Sequence, residues 1–189
     1  MERHHRSEYL ILRKTIARRG ALRPVLALCG IACWAAILTA VLVLIPYPVA
    51  SAISLLVLAA TFEVIRPLHF GAERIGRYIQ VFYEEAGEPG RPLTDTPSWE
   101  RVAMSFGAVP GAGGHPLFVP LFFLATAINY LAVMIPDPVA VEMAVMAVPH
   151  VAFMAWLISA DRAMKRQREI ELARMRQLAA DKAEKSSVL

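Results

Sequence analysis

The residues able to do chemistry are few, and most stand inside apolar runs. His150 follows Pro149 directly, with Met143, Met146, Phe153, Met154 and Leu157 within two turns on its side. A proline inside a helix frees a backbone carbonyl and bends the chain. An imidazole beside it has three roles open to it: a neutral, hydrogen-bonded core residue, a proton or substrate relay, or a haem or metal ligand. Asn129 and Glu142 lie in the same pair of runs. Asparagine suits hydrogen bonding between membrane helices, while Glu142 stands close enough to the start of its run to reach the interface. His150, Asn129 and Glu142 are therefore the candidate ligand or proton-relay residues, with the hydrogen-bonded role the one the sequence favours for His150.

Haem ligation by two histidines needs both at one depth. His150 stands about midway along its run, whereas His69 and His115 fall near the cytoplasmic edge, offset by about half a span or on the order of 15 Å at 1.5 Å per residue. The sequence thus predicts no cofactor. Haem is left as an alternative requiring a methionine or a second copy's His150. Cys29 and Cys33 share a helix face with Ala36 and Ala40, a stripe of small residues suited to helix packing. No further metal ligands match their depth, so no metal site is expected.

A second polar group gathers at one edge: Glu63, Arg66, His69 and Glu73. Glu63 and Arg66 are three apart, and Glu73 and Arg77 four apart, which are ion-pair spacings on a helix. Neither a Ser-His-Asp set, nor an HExxH run, nor a carboxylate dyad stands out. The glycine-rich stretch Gly107–Gly114 lacks the Gly-Lys-Ser/Thr ending of a phosphate loop. No catalytic residues are assigned, and an enzyme is not the expectation.

Four elements must position these groups. The chain has 189 residues, of which 57% are hydrophobic and 19% charged. Soluble domains are about 25% charged, and here the apolar excess comes in blocks, with a mean hydropathy of +0.47. A span needs about 20 apolar residues. Val25–Ile45, Val49–Ile65, Leu117–Ile135 and Val139–Ala160 qualify. The joints Pro46-Tyr47-Pro48 and Pro136-Asp137-Pro138 break the helix, because proline lacks a donor and disfavours helix before it. The expected fold is an all-α integral membrane protein of four transmembrane helices in two tandem helical hairpins, with cytoplasmic amphipathic helices. Ile45–Ala50 and Ile135–Ala140 differ at one position only, which raises an internal repeat of the hairpin. Ala50-Ser51-Ala52 resembles a signal cleavage site, but the preceding run is too long and a second span follows at once.

Charge sets the orientation. All 20 Lys and Arg residues fall before Val25, between Arg66 and Arg101, or from Arg162 onward. The positive-inside rule places both termini and residues 67–115 in the cytoplasm, here of a bacterial inner membrane. The organisation expected is a cytoplasmic amphipathic N-terminal helix at 1–23, a first hairpin at 24–66, a cytoplasmic segment at 67–115, a second hairpin at 116–160, and a charged C-terminal helix and tail at 161–189.

Three cytoplasmic stretches carry surface patterns. Tyr9, Leu12 and Ile16 recur at helical spacing among Arg and Lys, in a helix ending near Gly20 with Pro24 opening the first span. Leu68, Ala72, Ile75, Ile79 and Phe82 step by three and four, an apolar stripe for lipid, for a partner or for this chain's own bundle. Thr96-Pro97 reads as a helix start, with Trp99, Val102, Ala103 and Phe106 behind it. Residues 161–185 mix both charge signs without sustained heptads. Interleaved acidic residues speak against nucleic acid. The partners expected are the bilayer with its anionic lipids, other membrane subunits or a second copy. The function expected is a non-catalytic accessory or assembly subunit of a larger membrane complex. The alternatives are a small oligomeric transporter or channel working at Pro149-His150, and a haem- or metal-binding membrane protein.

Overall fold

The computed structural model describes residues 2–45, 47–85 and 117–187. Among these the chain is helical, with no strand. Helix α1 is Glu2–Leu44. A short 3-10 turn at Pro48–Ala50 leads into α2, Ser51–Ile79, which widens into a π-turn at Gln80–Glu85. Helix α3 is Val119–Ala132 and α4 is Ala140–Ser187. Helices α1, α2 and α4 are long and apolar enough to cross a membrane, whereas α3 is a shorter apolar helix.

Several sequence-based boundaries move. The N-terminal helix does not end near Gly20; α1 runs through both Gly20 and Pro24. The stripe at 68–82 is not a separate helix but the continuation of α2 through Pro67. An internal proline costs one backbone bond and some bending, less than breaking and recapping a helix of this length. The third run is shorter than Leu117–Ile135. It begins after Phe118, which is left-handed at φ 53°, and its last residues form the turn after Ala132. Pro136 disfavours helix just before it, which accounts for that turn. The repeated hexapeptides do not share a backbone: Tyr47 is extended at φ −115°, and Asp137 is left-handed at φ 49°.

The chain divides into two compact units. The apolar unit holds 21–69 and 115–163. Its core faces advance by three, four or seven residues: Ala27, Trp34, Leu38 and Val41 on α1; Leu55, Leu58, Phe62 and Ile65 on α2; Phe122, Ala125 and Asn129 on α3; Met146, His150, Phe153 and Leu157 on α4. Helices α1 and α2 run antiparallel, with Arg23 bonded to His69 at one level and Gly30 against Thr61 at another. A Cβ on Gly30 would lie 2.1 Å from Thr61 Cγ2, so glycine is what permits this approach. The small-residue stripe of Cys29, Cys33, Ala36 and Ala40 faces outward instead of forming this seam. Phe62 is fully buried and meets Phe122, Phe153 and Trp156 edge-on, with ring centroids 5.3–6.4 Å apart.

The charged unit holds the described parts of 1–20, 70–114 and 164–189. Here α2 is contacted by both other helices. Tyr78 donates to Glu8 of α1, Tyr9 stacks near Tyr83, and Arg77 pairs with Glu171 of α4. Ile79 is completely buried and Ala72 nearly so, with Ile75 and Phe82 half-buried. These residues pack within the chain, and Ile79 and Ala72 are not available as a lipid or partner surface. Leu68, which belongs to the apolar unit, is half-buried.

Candidate functional site

The apolar unit contains one polar layer to which all four helices contribute. Asn129 of α3 sits at its centre and is fully buried. Its Oδ1 accepts from Trp34 Nε1 of α1 at 3.0 Å and from Ser54 Oγ of α2 at 2.6 Å. Its Nδ2 donates to the Ser51 carbonyl at 3.1 Å and faces His150 Nε2 of α4 at 2.9 Å. Both donors and both acceptor sites of the amide are used, the condition under which a buried polar group is tolerated.

This arrangement fixes the amide and the imidazole together. An indole N–H only donates and a carbonyl only accepts, so Trp34 and Ser51 admit one orientation of Asn129. The Asn129 amino group then donates to His150 Nε2, which must accept. His150 Nδ1 lies 2.6 Å from the Met146 carbonyl and must donate. The geometry therefore selects the neutral Nδ1–H tautomer, with both ring nitrogens engaged. The Tyr130 ring packs edge-on at 5.2 Å from the imidazole, and its hydroxyl reaches the Met143 carbonyl at 3.3 Å.

His150 and Asn129 are thus brought together, and Glu142 is not. Glu142 is exposed near the start of α4, where its Oε2 accepts the Val139 backbone N–H at 3.1 Å. That is the reach-back of an N-terminal capping residue, and it accounts for a carboxylate near the end of an apolar helix.

The edge residues form pairs. Arg66 bonds Glu63 at 2.9 Å and lies over the Trp156 ring at 5.9 Å. His69 is buried and accepts from Arg23. Glu73, in the charged unit, accepts from Arg77 at 3.0 Å. His115 and the stretches Thr96-Pro97 to Phe106 and Gly107–Gly114 lie outside the described residues.

The charged unit has a buried ion cluster of its own. The Arg77 side chain is 2% exposed; its Nη1 donates to Glu73 and its Nη2 to Glu171 at 2.6 Å. Arg74 also donates to Glu171 at 2.6 Å, and Gln167 at 2.7 Å. Burial pushes the Glu171 carboxyl up, but hydrogen bonds from Arg74, Gln167 and Arg77 outweigh it and hold the group down at about 2. Arg176 grips Glu85 through two nitrogens at 2.8 and 3.0 Å. Burial and the nearby Glu8 carboxylate raise both Tyr78 and Tyr83 above the usual tyrosine range.

Sequence reasoning missed Trp34, Ser51 and Ser54 in the polar layer, and it read Arg77 only as an ion-pair partner of Glu73, not as a buried residue. Among the described residues no three His, Cys, Asp or Glu side chains converge as a metal site. Comparison of the chain with family models, with curated proteins and with solved structures finds no match.

Proposed function

We propose that this chain is a non-catalytic four-span membrane protein, an accessory or assembly subunit of a larger membrane complex. The observation carrying this reading is the closed polar layer. Both His150 nitrogens are occupied by Asn129 and the Met146 carbonyl, and every Asn129 valence is used. A relay or ligand site needs a lone pair or a proton free for the transported or bound species. Haem ligation at His150 would first have to break the bond to Asn129.

The membrane reading is supported by the apolar outward faces of the first unit and by three helices of sufficient length. The fourth span is α3, extended by the apolar residues flanking it. The partition of all 20 Lys and Arg residues supports an inner-membrane orientation with both termini and residues 67–115 in the cytoplasm. The anionic leaflet is then the natural lipid partner of the basic segments.

Native mass spectrometry of the tagged chain, extracted in mild detergent, tests the proposal. Foreign subunits at fixed stoichiometry are expected. A homo-oligomer free of other proteins would overturn the accessory role in favour of transport, and a bound haem mass would overturn it in favour of a redox role.

A further inference from the structure

The two interhelical joints of the apolar unit share two properties that loops in water do not combine, and the second joint has a third. The first is their side chains. Leu44, Val49, Ile135 and Val139 are 63–75% exposed, and Lys and Arg are absent from both joints. The second is the backbone. The N–H groups of Ile45, Tyr47 and Ala50 donate within the chain, as do those of Val133, Met134 and Ile135. The Val139 N–H is taken by Glu142. Pro46, Pro48, Pro136 and Pro138 have no N–H to satisfy. Irregular backbone facing lipid is excluded from the hydrocarbon core, where unmet donors find no water, but a joint that meets most of its donors internally can sit at the core's boundary. The third is length. Helix α3 has 14 residues, which is about 21 Å at 1.5 Å per residue, against a hydrocarbon core of about 30 Å. The apolar, internally bonded turn Val133–Ile135 after it adds to that height.

We propose that both joints are seated at the boundary of hydrocarbon and headgroups in the leaflet opposite the Lys/Arg-bearing side, with lipid acyl chains covering Val49 and Val139. Tyr47 and Asp137, each two residues away, mark the headgroup level, where an amphipathic phenol and a carboxylate both reach water. The inference rests on the membrane reading above. It adds that this end carries no Lys or Arg and little polar surface beyond Tyr47, Asp137 and Glu142, so water-soluble partners meet the chain from its basic side.

The test is nitroxide accessibility in vesicles of phosphatidylethanolamine and phosphatidylglycerol. Labels go at Val49→Cys and Val139→Cys on a Cys29→Ser, Cys33→Ser background. Ala60→Cys, exposed on α2 well inside the unit, serves as the control. Collision with dissolved oxygen reports hydrocarbon, and collision with a water-soluble nickel chelate reports water. The proposal expects all three sites to be oxygen-rich and nickel-poor. Nickel-rich joints with an oxygen-rich Ala60 label would overturn the seating and leave the membrane reading standing. Nickel access at Ala60 as well would overturn both. Joints poor in both reagents would mean that protein, not lipid, covers them, and would equally overturn the proposal.

Discussion

The Trp34 indole donates to Asn129 Oδ1 at 3.0 Å across 95 positions of sequence. That bond orients the amide, and through it the Asn129 amino group and the tautomer of His150. It makes one asparagine of α3 the common partner of the three other helices.

Replacing Asn129 should therefore cost more than replacing any residue it touches. Asn129→Ala leaves the Trp34 N–H and His150 Nε2 buried without their partner. Each orphan carries a penalty of about 1–3 kcal/mol in a dry interior, though membrane proteins recover part of it and measured pairs average about 0.6 kcal/mol. A loss of about 2 kcal/mol is expected for Asn129→Ala, with a smaller one for Ser54→Ala. Unfolding in mixed micelles measures both. Equal losses would show that Asn129 is not the centre of the layer.

His150 should carry its proton on Nδ1. Nitrogen NMR of the histidine-labelled chain reads the tautomer directly. The expected spectrum has a protonated Nδ1 and an unprotonated Nε2. A protonated Nε2 would mean that Asn129 is turned over and that the layer is not closed. His150→Leu is expected to lower stability without removing any subunit from a purified complex.

Gly30 should tolerate no side chain while Thr61 faces it. The added Cβ of Gly30→Ala meets Thr61 Cγ2, Oγ1 and Cβ, all within 2.8 Å. Overpacking of this kind costs about 1–3 kcal/mol. Thr61→Ala removes two of the three contacts, so the double variant should recover part of the loss. Mixed-micelle unfolding of the two single variants and the double variant gives the coupling. Additive losses would place the strain elsewhere.

Much of this architecture is legible in the sequence, and the omissions have physical causes. The apolar runs announce α1, α2 and α4, and Pro46-Tyr47-Pro48 and Pro136-Asp137-Pro138 announce the turns, because length and proline act locally. Asn129 and His150 stand out as polar residues in apolar surroundings. Trp34 does not, since an indole in such a run reads as packing; Ser51 reads as part of a cleavage-like motif, and Ser54 carries no signal of its own. Their roles exist only once α1, α2 and α3 are side by side. Arg77 is hidden for a related reason. A single apolar stripe assumes one buried face, but α2 in the charged unit is contacted by α1 and by α4, which widens the buried arc past Ile79 to Arg77 and Gln80.

The buried cluster around Arg77 should make the charged unit sensitive to acid. The Glu171 carboxyl is held at about 2, against an ordinary value of 4.5. A depressed carboxylate stabilises the fold fully above its unfolded value, and that contribution is lost as pH falls through the folded one. The window therefore opens near 4.5 and closes near 2. Between pH 6 and pH 3 the loss from this group is about 2 kcal/mol. Glu171→Gln removes the titrating charge and should flatten that part of the stability–pH curve, while being less stable than the parent at pH 6. Arg77→Lys should not substitute for arginine, because one ammonium cannot reproduce a fork that reaches Glu73 and Glu171 from separate nitrogens. Removing one partner of a buried ion pair costs about 3–5 kcal/mol, so Arg77→Lys and Arg77→Met should both fall well below the parent. Helical signal against denaturant at pH 6 and pH 3, for the parent and these three variants, decides the matter. An unchanged pH slope in Glu171→Gln would assign the acid sensitivity to other carboxylates.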